Sequence, residues 1–366
     1  MTMSIETLLQ RQIANRAKLL LEQLAQKLVL SADDWDSIYR ALEMALSAPQ
    51  GWPQAKAIFE RLLDDPRGLD RNERWMLLLM HGIEVSAAAA DNLVQARLLL
   101  ELGECYDQIS EFERAEDTFL HSATLFRQEG HAEGEGQALN SVASLCYRRQ
   151  HYSLSAEFAS KSRRVASHIP AIVARSDLIL GAIAFDQDED DQAITYFRAC
   201  LENSLESGEH LLTAKAYSNL GIIYRQIEDW KAAEALYSEA IHHANTVNDR
   251  IYLGVFHSNL GVVYFKTRRI EQALSSYHDA LQELKRLGNI EQLAPLYNNI
   301  GMVYASMGEL EAARRNLRAS AELWLELKNQ AAYDNVMSNI LEIEEAAKRA
   351  RGVAPTENTV PPVSPK

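Results

Sequence analysis

The sequence predicts an all-α protein built as a solenoid of antiparallel helix pairs, and three observations support this fold class. Leu, Ala, Glu and Arg recur throughout the chain while only 9 residues are proline, which favours helix over strand. Of the 366 residues, 47% are hydrophobic and 24% charged, as in a folded globular protein. One short pattern returns at intervals of 40 residues, which is typical of a repeat architecture.

The repeat is visible in three segments that need no alignment. SNLGIIY begins at Ser218, SNLGVVY at Ser258 and NNIGMVY at Asn298, so each starts 40 residues after the last. A second apolar cluster follows each segment, KAAEALYSEA from Lys231, EQALSSYHDA from Glu271 and EAARRNLRAS from Glu311. Each unit is therefore predicted to be two antiparallel helices, and because neither helix can bury its apolar stripe alone, the units must stack.

Small residues mark the positions where these helices cross closely. They are Gly221, Gly261 and Gly301 in the first helices and Ala233, Ala273 and Ala313 in the second. The same register finds earlier copies headed by Gly103 and Gly181, and a worn copy between them in which Ala143 replaces the glycine and Cys146 the tyrosine. The six copies thus begin at intervals of 40, 38, 40, 40 and 40 residues.

This signature resembles the tetratricopeptide repeat: a leucine–glycine pair, a tyrosine three residues on, then an alanine, an aromatic and another small residue. The resemblance extends from about Gln95 to Glu345. The 40-residue period resembles the longer-helix subclass, which includes kinesin light chain, the spindle-orientation adaptor with Leu-Gly-Asn repeats, and bacterial peptide-pheromone sensors. This resemblance implies a right-handed superhelical solenoid in which the first helix of each repeat lines a concave groove.

Four regions are expected along the chain. Residues 1–95 form a helical region that is a degenerate repeat, a cap or a separate docking segment, with Ala55 and Phe59 placed as in a second helix. Residues 96–330 form a solenoid of about six repeats, with breaks at Gly208, Asn248-Asp249 and Gly288. Residues 331–350 read as a polar capping helix, and the proline-rich residues 351–366 as a disordered tail.

Charge and composition narrow the function classes. The formal net charge is -14 and the sequence pI about 5.3, so general binding to nucleic acid or to anionic membranes is not expected. No basic start followed by an apolar run opens the chain, and no stretch approaches the roughly 18 apolar residues of a membrane span. Three cysteines without metal-ligand spacing suit a reducing compartment. The expected location is cytoplasmic.

Signals of catalysis, cofactors or metals are weak in this sequence. No HExxH, CxxC or nucleophile elbow occurs, and we expect neither an enzyme nor a cofactor. His242 and His243 are adjacent, so they point to different faces of a helix and do not easily ligate one metal. The acidic run Asp186–Asp191 lacks the glycine and glutamate of a calcium loop, and a solvated turn between helices is the favoured interpretation.

A row of asparagines is the best binding candidate. Asn219, Asn259, Asn299 and Asn339 recur every 40 residues. Asparagine is a mediocre helix residue, yet its amide donates and accepts together, which suits an extended peptide backbone. The resemblance implies this use, since related grooves hold peptide backbones with asparagines at the matching position. Hydrogen bonding to an adjacent helix is the alternative, and both uses can hold for different members.

The resemblance also implies the other groove-lining positions. They are Ser218, Ile222, Arg225, Ser258, Val262, Phe265, Lys266, Asn298 and Met302, and upstream Asn140, Arg148, Arg175, Phe185 and Lys215. This mixed lining of amides, aliphatic groups and cations fits an extended peptide with apolar anchors and acidic character. Solvated surface charge is the alternative for Arg148, Arg175 and Lys266.

The leading functional hypothesis is a non-enzymatic adaptor that binds a peptide or protein segment in the groove. The alternative is a bacterial-type regulatory sensor, in which a signal peptide or protein bound by the repeats controls the N-terminal helical region. Assembly into a homo-oligomer through the two ends is a further hypothesis.

Overall fold

The computed structural model describes residues 5–25, 30–64, 69 and 71–350, and these residues form seventeen α-helices without a strand. The chain divides into two compact units, Met1–Ser207 and Gly208–Lys366. The predicted all-α helical repeat fold is confirmed. The tail predicted for residues 351–366 lies outside the described residues, as do residues 26–29 of the leucine-rich N-terminal segment.

The first unit holds ten helices among its described residues. They are α1 (Ile5–Leu24), α2 (Ala32–Leu46), α3 (Trp52–Leu63), α4 (Glu73–Ala88), α5 (Asn92–Gln108), α6 (Phe112–Gln128), α7 (Ala132–Arg148), α8 (Tyr152–Val165), α9 (Pro170–Asp186) and α10 (Asp190–Ser207). Helices α5 to α10 pack as three pairs, and the first helices of neighbouring pairs also contact each other.

The second unit continues the same pattern. Its described helices are α11 (His210–Gln226), α12 (Trp230–Val247), α13 (Arg250–Lys266), α14 (Ile270–Leu287), α15 (Ile290–Ser306), α16 (Leu310–Glu326) and α17 (Gln330–Ala350). Helices α11 to α16 form three pairs, and α17 packs on α16 through Val336 and Ile340 against Leu317. The six predicted helix pairs are therefore present in their predicted register.

The signature glycines let the two helices of a pair cross closely. An ideal Cβ on Gly261 would lie 2.5 Å from a ring carbon of Tyr277, and one on Gly181 would lie 2.6 Å from a ring carbon of Phe197. The glycines of four repeats thus accommodate an aromatic side chain sixteen residues later, whereas Gly301 accommodates Leu317. In the worn copy both members change together, because Ala143 stands for the glycine and Ala159 for the aromatic, and both are fully buried.

The predicted breaks between repeats are confirmed by backbone conformation. Gly208, Asn248 and Gly288 have φ of 70°, 53° and 64°, the left-handed region that lets a helix end and the chain turn back. Five of the six turns inside the pairs use the same conformation without glycine, as at Glu228 and Arg268, whose φ is 62° in both cases, and the α15–α16 turn uses Gly308.

The N-terminal helices share a hydrophobic core with the repeats of the first unit. Trp75 lies at the centre, with ring centroids 6.0 Å from Trp35 and 5.8 Å from Phe59. The same core continues through α5 to Cys146 in α7. A buried carboxylate also links the N-terminal region to the repeats. Glu101 on α5 accepts hydrogen bonds from Arg71 Nε at 2.7 Å and from Trp75 Nε1 at 3.3 Å.

Candidate functional site

The asparagine row lies entirely in the second unit, on the first helix of each pair and on α17. Asn219, Asn259 and Asn299 are half-buried on α11, α13 and α15. Their side-chain amides make no hydrogen bond within the part of the chain that the structure describes. They are thus held on rigid helices with their donors and acceptors available.

Asn339 differs from these three, because its Nδ2 donates to Asn298 Oδ1 at 3.0 Å and so joins α17 to α15. Asn140 in the first unit is wholly committed to structure. It is fully buried, its Nδ2 donates to the Ile172 carbonyl at 3.1 Å, and its Oδ1 accepts from the Ser176 hydroxyl at 2.9 Å. The structural use weighed for asparagine therefore occurs at Asn339 and Asn140, whereas the use of Asn219, Asn259 and Asn299 by a ligand stays a prediction.

An aliphatic side chain accompanies each of the three available amides. Ile222, Val262 and Met302 follow Asn219, Asn259 and Asn299 by three residues, which places them on the same helix face. All three are half-buried. We call these six residues the asparagine face. Each repeat thus presents one hydrogen-bonding group beside one apolar group.

The remaining predicted groove residues of the second unit differ from one another in exposure and in their contacts. Ser218 is only 4% exposed and offers little to a ligand, whereas Ser258 is half-buried. Lys215 Nζ lies 4.3 Å from the ring centroid of Tyr252, where a cation–π contact stabilises it. Phe265 packs against the core of the α14–α15 region, and Lys266 is exposed at the end of α13.

Arg225 is a half-buried cation without a carboxylate partner among the described residues. Its Nε is buried and has no hydrogen-bond acceptor there. It lies near two tyrosines whose hydroxyls are also buried, Tyr237 and Tyr277. Burial raises the pKa of Tyr237 to about 12, while the positive charge of Arg225 opposes that shift. The tyrosines stay neutral at pH 7 and cannot compensate the guanidinium.

The first helices of two pairs lack acidic residues. Helices α11 and α13 contain no Asp or Glu, although the whole chain carries a net charge of -14. Their cations are Lys215, Arg225, Arg250 and Lys266, of which Arg250 pairs with Glu283 at 2.9 Å. The acidic residues of these repeats lie on the second helices and in the turns, whereas α15 itself carries an acidic residue in its first turn. The amides of α11 and α13 therefore lie on helices that carry cations and no carboxylate.

The two predicted cations of the first unit have other neighbours. Arg148 forms an ion pair with Asp107, so its charge is balanced. Arg175 is exposed and close enough to Glu104 to lower the pKa of that carboxyl, although burial is the larger effect and raises it overall. The lining of α5, α7 and α9 is thus mixed in charge, unlike that of α11 and α13.

The contact between His210 and His243 was not predicted from the sequence. Their Nδ1 atoms lie 3.0 Å apart, across the α11–α12 pair. The 40-residue period indicates this contact, because the residues 40 positions later are Arg250 and Glu283, whose opposite charges suggest that the two positions meet.

Comparison with known proteins agrees with this architecture. Residues 173–245 and 252–326 match the model of the tetratricopeptide repeat. These two segments of the chain therefore contain tetratricopeptide repeats. No curated protein matches the sequence. Within the described residues, none of the helices combines the length and apolar character that crossing a membrane requires.

Several solved structures share the fold at low sequence identity. Aspartyl phosphate phosphatase F from Bacillus subtilis is 12% identical, with a TM-score of 0.55 over 98% of this chain and 99% of its own. The Rap conjugation gene regulator of the plasmid pLS20, in complex with the Phr* peptide, is 15% identical, with a TM-score of 0.50 over 95% and 99%. A STAND protein with a tetratricopeptide repeat sensor from Pyrococcus horikoshii is 14% identical, with a TM-score of 0.55 over 91% and 55%. At these identities the likeness establishes the fold alone.

Proposed function

We propose that this protein is a non-enzymatic interaction scaffold that binds an extended peptide or protein segment on the asparagine face. The observation that carries the proposal is the set of three amides, on Asn219, Asn259 and Asn299, which recur every 40 residues without a partner of their own. An amide that donates and accepts at once can pair with the N–H and C=O of a strand-like ligand backbone. Rigid helices hold these groups in place, so little ordering entropy is lost on binding.

The chemistry of the ligand follows from what surrounds the amides. Ile222, Val262 and Met302 offer apolar contacts at intervals, so the ligand should carry apolar side chains as anchors. Arg225 has no carboxylate partner among the described residues, and Lys266 is exposed; both lie on helices free of acidic residues. A carboxylate on the ligand would satisfy a guanidinium that is otherwise incompletely paired. We therefore expect an acidic segment with spaced apolar residues.

Replacing the three amides together tests the proposal. In the variant Asn219→Ala/Asn259→Ala/Asn299→Ala we expect the fold to be kept, because these amides form no hydrogen bond with the described residues, and ligand binding to be weakened. The measurement is selection from a random peptide library, followed by affinity capture from the native cell. Each lost hydrogen bond should cost about 0.5–1.5 kcal/mol, so three should weaken binding roughly tenfold or more.

A matched control removes asparagines elsewhere on the same unit. Asn245 and Asn335 are exposed on α12 and α17, outside the asparagine face. Asn245→Ala/Asn335→Ala should bind as the wild type does. The proposal is wrong if the triple variant folds and retains the same peptides and partners with equal affinity, or if peptides selected by the wild type show no enrichment in Asp and Glu.

A regulatory sensor is the second candidate, and the continuous core of the first unit favours it. The N-terminal helices α1–α4 share buried side chains with the repeats up to α7, so a change in the repeats of this unit reaches them directly. The solved structure of the Rap conjugation gene regulator, which holds the Phr* peptide, matches 95% of this chain and thus includes the N-terminal region.

Small-angle scattering separates the two candidates. A sensor should change its radius of gyration when a selected peptide is added, because binding must favour one of two conformations. A scaffold with a preformed face should show no change within error while binding the same peptide. The measurement uses the full chain, and a peptide rejected by the library selection serves as the control.

A further inference from the structure

Two histidines from different helices meet across the first helix pair of the second unit. His210 is the first residue of α11 and His243 lies near the end of α12. Their Nδ1 atoms are 3.0 Å apart and their ring centroids 5.3 Å apart. Both side chains are half-buried. Two neutral imidazoles can share this contact only if one Nδ1 carries a hydrogen and the other accepts it.

The position is defined by the repeat. Forty residues later the corresponding residues are Arg250 and Glu283, whose side chains form an ion pair with Nη1 2.9 Å from Oε2. The fold therefore brings the two side-chain ends together in both repeats. In the α13–α14 pair opposite charges stabilise the contact, whereas in the α11–α12 pair two nitrogen ligands occupy the same place.

The spacing of the two nitrogens fits a shared metal ion. With metal–nitrogen bonds of about 2.0–2.1 Å and angles of roughly 90–110°, two ligands on one ion lie about 2.9–3.4 Å apart. We propose that His210 and His243 form a two-histidine site for a divalent transition metal of the Zn²⁺, Ni²⁺ or Cu²⁺ type, the ions that imidazole prefers. Water, or a donor atom of a bound molecule, completes the coordination.

Aromatic neighbours hold the His243 ring in place. It stacks on Tyr217 with centroids 5.8 Å apart and 25° between the planes, and His242 meets its edge at 5.4 Å. These contacts fix the ring in the orientation that brings its Nδ1 to within 3.0 Å of Nδ1 of His210.

Only two protein ligands are present at this site. Over the residues that the structure describes, no group of three or more His, Cys, Asp and Glu side chains is placed to hold a metal ion. The site therefore differs from a closed structural zinc site and keeps open positions. A bound ion would clamp α11 to α12 next to Tyr217, two residues before Asn219 of the asparagine face.

The test titrates the untagged full chain with ZnCl₂ and with NiCl₂ at pH 7.5. Isothermal titration calorimetry gives the stoichiometry of binding. NMR of the histidine side chains identifies the ring nitrogens whose signals shift, or whose protons stop exchanging, when metal is added. The diagnostic variant is His210→Arg/His243→Glu, which copies the Arg250–Glu283 pair and so keeps a stabilising contact without metal ligands. His210→Gln is the second variant, should the double one fail to fold. His278→Ala is the matched control, since it removes an exposed histidine of the same unit, on α14.

We expect one ion per wild-type chain at this site, no such binding in the double variant or in His210→Gln, and unchanged binding in His278→Ala. Affinity should fall as the pH is lowered from 7.5 to 5.5, because protons compete for the same nitrogens. The proposal is overturned if the wild type binds no ion, if the folded double variant binds as tightly as the wild type, or if His278→Ala abolishes binding.

Discussion

Replacing Phe197 by alanine should destabilise the first unit by about 3–5 kcal/mol, the usual effect of truncating a fully buried aromatic side chain. Phe197 is 1% exposed and fills the space left by Gly181, whose ideal Cβ would lie 2.6 Å from its ring. For the same reason Gly181→Ala alone should cost about 1–3 kcal/mol, because the added methyl group overlaps the ring.

The effects of the two substitutions on the free energy of unfolding should not be additive. In the Phe197→Ala background the methyl group of Gly181→Ala no longer meets a ring, and alanine is favoured over glycine within a helix by about 1 kcal/mol. We therefore expect Gly181→Ala to change sign, destabilising the wild type and stabilising the Phe197→Ala variant. One repeat earlier the protein already has alanine at both of these positions, Ala143 and Ala159.

Urea denaturation followed by circular dichroism measures this cycle, and amide hydrogen exchange in α9 and α10 shows whether the effect is local. The interaction between the two positions should be about 2–4 kcal/mol, well above the 0.3–0.5 kcal/mol scatter of independent sites. Equal costs of Gly181→Ala in both backgrounds would show that the glycine does not serve to admit the aromatic ring.

The packing of the repeats could be predicted from sequence because it is encoded locally. A glycine in the first helix and an aromatic sixteen residues later must meet whenever two helices of this length pack antiparallel. The breaks at Gly208, Asn248 and Gly288 could likewise be predicted, since these residues tolerate the left-handed backbone that a helix end requires. The same conformation at Glu228 and Arg268 has no signal in the residue type.

The candidate site could be predicted only in part. The period located Asn219, Asn259, Asn299 and Asn339 on corresponding turns. Which amides stay available depends on the neighbouring helix, because Asn339 finds a partner in Asn298 and the other three find none among the described residues. The Asn339–Asn298 contact joins residues 41 positions apart and follows from side-chain geometry. The His210–His243 contact was not predicted, although the ion pair 40 residues later indicates it. Among the described residues Arg225 has no carboxylate partner, which could not be predicted from the sequence either.

The second large effect concerns a buried charge between α8 and α9. Asp177 is fully buried, and its Oδ1 lies 2.8 Å from Nε of Arg163, whose side chain is 48% exposed. Burial raises the pKa of Asp177 from its ordinary 3.8 to about 6, against the opposing effect of Arg163. The folded protein thus holds this proton more tightly than the unfolded chain does. Stability should therefore decrease as the pH rises through the interval from about 4 to 6.

Removing the charge and removing its partner should have opposite effects. Asp177→Asn abolishes the cost of burying an ionised carboxylate, so we expect it to stabilise the protein at pH 8 by up to about 3 kcal/mol, the equivalent of a two-unit shift. Arg163→Ala leaves the carboxylate buried without a counter-charge. We expect it to destabilise the protein at pH 8 by about 2–3 kcal/mol, somewhat less than for a wholly buried pair because water reaches Arg163.

Both differences should shrink at pH 5, where the carboxyl group of Asp177 is mostly protonated and neutral in the wild type and needs neither replacement nor partner. Urea denaturation at pH 5 and pH 8 measures this, with Arg164→Ala as the control, since Arg164 is the exposed neighbour of Arg163 on α8. Arg164→Ala should have little effect at either pH. Protonation of Asp177 removes only the effect of its charge. If Arg163→Ala destabilises the protein equally at both pH values, Arg163 therefore stabilises it by packing of its aliphatic stem and not by pairing with Asp177.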